Sequence, residues 1–111
     1  GDSPIGTMTS QVFHIPQTGS TISFLIGGGC DEDVEYAELL VDGLPVAKTT
    51  GRCHEIMERR SWDVTAYRGR AAQIRVVDAA AFAHGWAHIN FDDVRFDWST
   101  EAPARALSTA R

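Results

Sequence analysis

Long apolar runs are missing from this sequence, and so is a surplus of positive charge. No stretch approaches the roughly 18 consecutive apolar residues of a membrane-crossing helix, so membrane insertion of that kind is not expected. The 111 residues carry 10 Lys and Arg against 15 Asp and Glu, a net charge of -5. Phosphate backbones are bound by concentrated basic surfaces. The only basic clusters here are Arg59-Arg60 and Arg68 with Arg70, and neighbouring acids offset them, so nucleic acid is excluded as a partner. An acidic surface suits a cation or a neutral polar ligand better.

Catalytic motifs are missing too. There is no nucleophile-elbow sequence, no P-loop and no cysteine spacing for zinc. His84 and His88 stand four apart, but Gly85 and the strand-like sequel argue against a helix, and the Glu of a zinc-protease motif is lacking. Paired carboxylates for glycoside cleavage carry little specificity in a chain with 15 acids. These absences point away from an enzyme and toward a binding module. An initiating Met and a signal peptide are also lacking; the opening "GDSPIG" suits a mature form, an excised module or a processed fragment.

What is present suits one globular domain. With 43% hydrophobic and 23% charged residues the composition is that of a folded chain, and this length can bury roughly 65% of its unfolded surface. Short apolar segments recur between turn signals, with almost no helical periodicity. Residues 10–15 ("SQVFHI") form a strand ended by Pro16. Residues 20–26 ("STISFLI") read as a central strand buried on both faces, ended by Gly27, Gly28 and Gly29. "YAELLVDG" and "LPVAKTT" form a hairpin turning at Asp42-Gly43. Residues 51–61 are polar and read as a loop with a turn of helix. "SWDVTAY" places Trp62 and Val64 on one face, "RGR" turns the chain, and "AAQIRVVD" alternates Ala72, Ile74 and Val76 against Gln73, Arg75 and Val77. Seven or eight short strands predict an all-β fold, an antiparallel β-sandwich or jelly roll. Residues 99–111 read as a linker or surface tail.

Cys30 precedes the hairpin and Cys53 follows it, so both lie at its open end, where a disulfide can form; two buried thiols are the other reading. A disulfide would place the protein in an oxidising compartment.

The last strand holds the strongest irregularity. In "GWAHINFDDVRFDW", Ile89 and Phe91 share one parity while Val94, Phe96 and Trp98 share the other. The break falls on Asp92-Asp93 and predicts a bulge or corner. Adjacent carboxylates there are candidate calcium ligands, joined by Asp2 and by acids such as Asp31, Glu32, Asp33 and Asp78; alternatively one caps a turn and the other is solvated. Trp86 is the candidate sugar platform, since aromatic rings stack on the C–H faces of sugars; packing in the core is the other reading. His88 and Asn90 share its face if the segment is extended. Trp62 and Trp98 are expected in the core, and His54-Glu55 in a loop.

Taken in order, "GDSPIGTMTSQVFHI", "ISFLIGGG", "AELLVDGLPVAKTTG", "WDVTAYRGRAAQIRVVD" and "GWAHINFDDVRF" resemble the galactose-binding-like β-sandwich module found beside the catalytic domains of levanases and related fructan-cleaving glycoside hydrolases. The resemblance covers residues 1–98. It implies a jelly roll, an ancillary rather than catalytic role, and carbohydrate association. Modules of that kind begin with an earlier strand, so this chain is expected to lack its first strand or to receive one from a partner. The expectation is a non-catalytic extracellular or cell-surface module that binds carbohydrate or glycoprotein through Trp86, His88, Asn90 and Asp92, with calcium held by Asp92, Asp93 and Asp2 and a Cys30–Cys53 disulfide. The alternative is a structural assembly module without sugar binding, its sheet completed by a protein partner.

Overall fold

The computed structural model describes residues 6–29, 35–78 and 89–98. Cys30, Asp2, Trp86, His88 and the segment 99–111 lie outside them. The described residues form eight strands: β1 (Gly6–Thr9), β2 (Phe13–His14), β3 (Thr21–Gly28), β4 (Glu35–Val41), β5 (Leu44–Thr49), β6 (His54–Asp63), β7 (Ala71–Asp78) and β8 (Ile89–Phe96), with a 3-10 turn at Thr65–Tyr67. No helix among the described residues is long and apolar enough to cross a membrane.

Two antiparallel sheets result. One runs β1-β7-β4-β5, with β2 also on β7; the other runs β6-β3-β8. Strands with one apolar face must cover it, and these two sheets cover each other. Ile22, Phe24 and Ile26 of β3 meet Ala37, Leu39 and Val41 of β4 and Ile74 of β7 in one core. Phe24, with no exposed surface, is the centre of an aromatic group: its ring lies 4.6 Å from Trp62 on β6 and 5.0 Å from Phe91 on β8. The expected core positions of Trp62 and Val64 hold, and Trp62 Nε1 donates to Thr49 Oγ1 at 2.9 Å.

The hairpin is β4–β5, turning where expected. Asp42 (φ 52°) and Gly43 (φ 84°) both adopt left-handed conformations, the pair of angles a tight two-residue hairpin requires. Arg70 Nε donates to the Asp42 carboxylate at 2.5 Å, tying the turn to the start of β7.

Four expectations are corrected. Residues 51–61 are not a loop with a helical turn; most of them belong to β6, ten residues long. An edge strand has one neighbour and a solvated side, so it tolerates Glu58, Arg59 and Arg60 that a period-two apolar pattern would not contain. His54, expected in a loop, opens β6 opposite Gly28. Of the strand placed at residues 10–15, only Phe13–His14 is one, β2; β1 precedes it at Gly6–Thr9, and both pair with β7. Finally, β3 is central but not buried on both faces: Ile22, Phe24 and Ile26 are buried while Thr21, Ser23 and Leu25 are half-buried, and the strand continues through Gly27 and Gly28.

Beyond β3 the backbone is tightly crossed. A Cβ on Gly51 would meet Gly29 O at 2.6 Å and Gly27 C at 2.9 Å. Thr50 Oγ1 lies 2.6 Å from Glu35 O and 3.1 Å from Gly29 O, joining the ends of β4 and β3.

Candidate functional site

The parity break in β8 is a bulge. Ser23 pairs with Arg95, yet Leu25 pairs with Asp92, so β8 spends one extra residue against β3. Asp93 takes that position in a left-handed conformation, φ 50°. The extra residue turns the pleat by half a period. Phe91 and Val94, which a regular strand would send to opposite faces, are therefore both buried in the same core. Of the bulge or corner expected here the structure shows a bulge, within β8 and opposite the middle of β3.

Asp92 and Asp93 do different things. Asp92 Oδ1 accepts the Asp93 amide at 2.7 Å, and its side chain is otherwise exposed. Asp93 is clamped. Arg59 reaches across β3 from β6, donating from Nη1 to Asp93 O at 2.9 Å and to Ser23 Oγ at 3.2 Å, and its Nη2 is paired with Asp93 Oδ2. Arg95 Nη2 lies 3.0 Å from the same oxygen. The hydrogen bond from Arg59 is the main reason that the Asp93 carboxyl titrates below the ordinary carboxylate range, with Arg95 adding to it and partial burial opposing it.

That direction sets a pH dependence. A carboxyl whose folded pKa is depressed contributes stability that is complete above its unfolded pKa, about 3.9, and is lost as pH falls through the folded value. Asp93→Asn should therefore be less stable than the natural chain in urea at pH 7, with the gap closing toward pH 2. The pair is partly solvated, so the effect stays small. A gap that stays constant from pH 7 to pH 2 would show that the carboxylate's charge contributes nothing.

The clamp lies on the outer face of the β6-β3-β8 sheet. Cross-strand partners share a face, so Ser23, Leu25 and Gly27 of β3 stand beside Arg95, Asp92 and Asn90 of β8, and Ser61 and Arg59 of β6 complete the rows. Met57 belongs to the same side; its Sδ lies 3.2 Å from where a Gly27 Cβ would sit. Asn90, Asp92, Arg95, Arg59 and Ser61 are all exposed. The structure thus brings together two of the four expected ligand residues, Asn90 and Asp92, six to seven ångströms apart along the strand by the usual rise of about 3.3 Å per residue. Trp86 and His88 lie outside the described residues.

Sequence reading missed Arg59, Ser23 and Ser61 as members of this face. Arg59 sits 34 positions from the Asp93 it holds, and β6 has no alternation to reveal which side it presents. As for metal, Asp2 lies outside the described residues, and no group of three or more His, Cys, Asp or Glu suited to a metal ion occurs among the described ones. Asp93 is engaged by two guanidinium groups. Cys53 is not a free thiol, and its backbone is left-handed, φ 65°.

Comparison with known proteins gives one informative relative. A protein of Aspergillus rugulosus described as "Putative glycosyl hydrolase ecdE" is 40% identical over 96 residues, which are 86% of this chain and 13% of that protein. The chain thus spans about 13% of the length of the curated relative it matches. No family model matches the sequence, and no solved structure matches it.

Proposed function

We propose that this chain is a non-catalytic carbohydrate-binding module, a jelly roll of the galactose-binding-like type, within a larger extracellular or cell-surface protein of the glycoside hydrolase kind. The observation that carries the reading is the relative: a protein named as a glycosyl hydrolase contains a 40% identical stretch that makes up 13% of its length. A small β-sandwich accounting for so little of a long polypeptide suits an ancillary role better than a catalytic one. The exposed face built by Asn90, Asp92, Arg59 and Ser61 supports it, because sugar hydroxyls need both donors and acceptors. Trp86 and His88 would extend that site with a stacking surface and a further polar group.

A structural calcium at Asp92, Asp93 and Asp2 remains part of the proposal, though for Asp93 it would have to displace Arg59 and Arg95. A Cys30–Cys53 disulfide belongs to it as well, and fits secretion. The assembly alternative, a partner strand completing a sheet, has less support. Every sheet edge among the described residues carries a feature that discourages strand addition: β1 is four residues long, β5 contains Pro45 and an irregular register, β6 is charged, and β8 is bulged.

A glycan array with and without EDTA tests the reading. Selective binding that Trp86→Ala abolishes is the expected result, and loss in EDTA would add the cation. Silence across fructans, galactosides and other common glycans, from a folded sample, would end the sugar reading and return attention to assembly.

A further inference from the structure

Resting on the carbohydrate reading, we infer that the ligand is the interior of a neutral glycan chain, laid along β8 on the outer face of the β6-β3-β8 sheet, with Asn90, Asp92 and Arg59 as its polar contacts. Three observations lead there.

The first is shape. From Asn90 opposite Gly27 to Arg95 opposite Ser23, the exposed row runs four residue steps of β3, roughly 13 Å at the usual strand rise. That is the length of a short oligosaccharide rather than of a single ring. Sites that select chain ends enclose them, as concave pockets do. Here the row lies on an open sheet face, with Asn90, Asp92 and Arg95 exposed.

The second is charge. The chain as a whole is acidic, at -5, but the row from Asn90 to Arg95 is balanced: Arg59 and Arg95 stand against Asp92 and Asp93, while Asp63 and Asp97 lie beyond its end, beside Thr21. A balanced face attracts neither polyanions nor polycations, yet offers guanidinium donors beside carboxylate acceptors, the pairing that vicinal hydroxyls satisfy.

The third is contrast with the other sheet. On the outer side of β4, Glu38 and Leu40 are 2% and 5% exposed. Glu38 is held by Arg75 Nε at 2.6 Å, and Lys48 lies over the Tyr36 ring at 4.3 Å. That face covers its own central strand. The face of β3 and β8 leaves its polar groups open to solvent.

Arg59 has a double part. Its grip on Asp93 fixes the guanidinium over β3, so a ligand meets a donor already in place rather than a mobile side chain. It is a positioning residue for the bulge and a contact for the chain.

The test uses the 111-residue chain and neutral gluco-, galacto- and fructo-oligosaccharides of one to four units, titrated by calorimetry, together with tetrasaccharides blocked at both ends. Expected are at least a tenfold gain in affinity from monosaccharide to tetrasaccharide, equal binding of the end-blocked form, and a loss of about fivefold or more in Asn90→Ala at unchanged thermal stability. Asn90 is exposed and its side chain makes no hydrogen bond within the described residues, so truncating that side chain leaves the β3–β8 ladder and the fold intact. Tight monosaccharide binding, or binding abolished by blocking an end, overturns the chain-interior mode while leaving the carbohydrate reading standing. Tetrasaccharide binding unchanged in Asn90→Ala overturns the placement on this face. Absence of binding to every glycan, on the array as well as in these titrations, overturns the carbohydrate reading and this inference with it.

Discussion

Deleting Asp93 is expected to abolish the folded state, whereas Asp93→Gly should cost no more than about 1–2 kcal/mol. The difference separates the bulge from the carboxylate that occupies it. Without the extra residue, β8 returns to strict alternation. It can then turn either Ile89 and Phe91 or Val94, Phe96 and Trp98 toward the core, not both sets. Each large apolar side chain moved to solvent forfeits about 1.5–3 kcal/mol. Two or three of them consume much of the roughly 5–15 kcal/mol that holds a domain together. Glycine keeps the residue count and accepts the left-handed φ of 50°, losing only the partly solvated ion pair. Circular dichroism and urea titration of the two variants decide the matter. A cooperatively folded deletion variant of near-natural stability would mean that the register of β8 is not what holds Phe91 and Val94 inside.

Phe24→Ala is expected to lose about 3–5 kcal/mol and to lower the melting temperature by more than about 12 °C. Phe24 is fully buried and lies between Trp62 and Phe91, so its ring joins all three strands of the smaller sheet through their side chains. Backbone hydrogen bonds already join those strands edge to edge; Phe24 holds their inner faces together. Removal leaves a cavity lined by aromatic rings, which are too rigid to collapse into it. A measured loss below about 1.5 kcal/mol would mean that the neighbouring strands close over the gap.

Both variants probe features that differed in how far the sequence disclosed them. The slip at Asp92-Asp93 was legible because apolar residues on either side kept strict alternation, and only the phase changed. The turn at Asp42-Gly43 was legible because two left-handed residues in sequence restrict the choice of amino acid severely. β6 was not legible. An edge strand carrying Glu58, Arg59 and Arg60 owes its extended form to pairing with β3, a partner some thirty residues away, and no local pattern records that. The candidate face suffered in the same way. Asn90 and Asp92 were found from their own strand's parity. Arg59 was not, because its place across β3 from Asp92 depends on the order β6-β3-β8, and strand order is a property of the whole chain.

That strand order has a consequence for synthesis. Among the described pairings, only β4–β5 joins neighbours in the chain through a tight turn; β3, the central strand of its sheet, finds one partner in β6 and the other in β8. Ile22 pairs with Phe96, so a ribosome adding about 5–20 residues per second leaves that edge of β3 without its mate for several seconds after β3 itself is made. Throughout that interval the nascent chain carries a long apolar strand with one side unprotected, next to a hairpin that can already form. Crowded expression at high yield therefore favours capture of β3 by other nascent chains. Slower translation does not shorten the exposure. Lower temperature or a chaperone that shields extended apolar segments would help more.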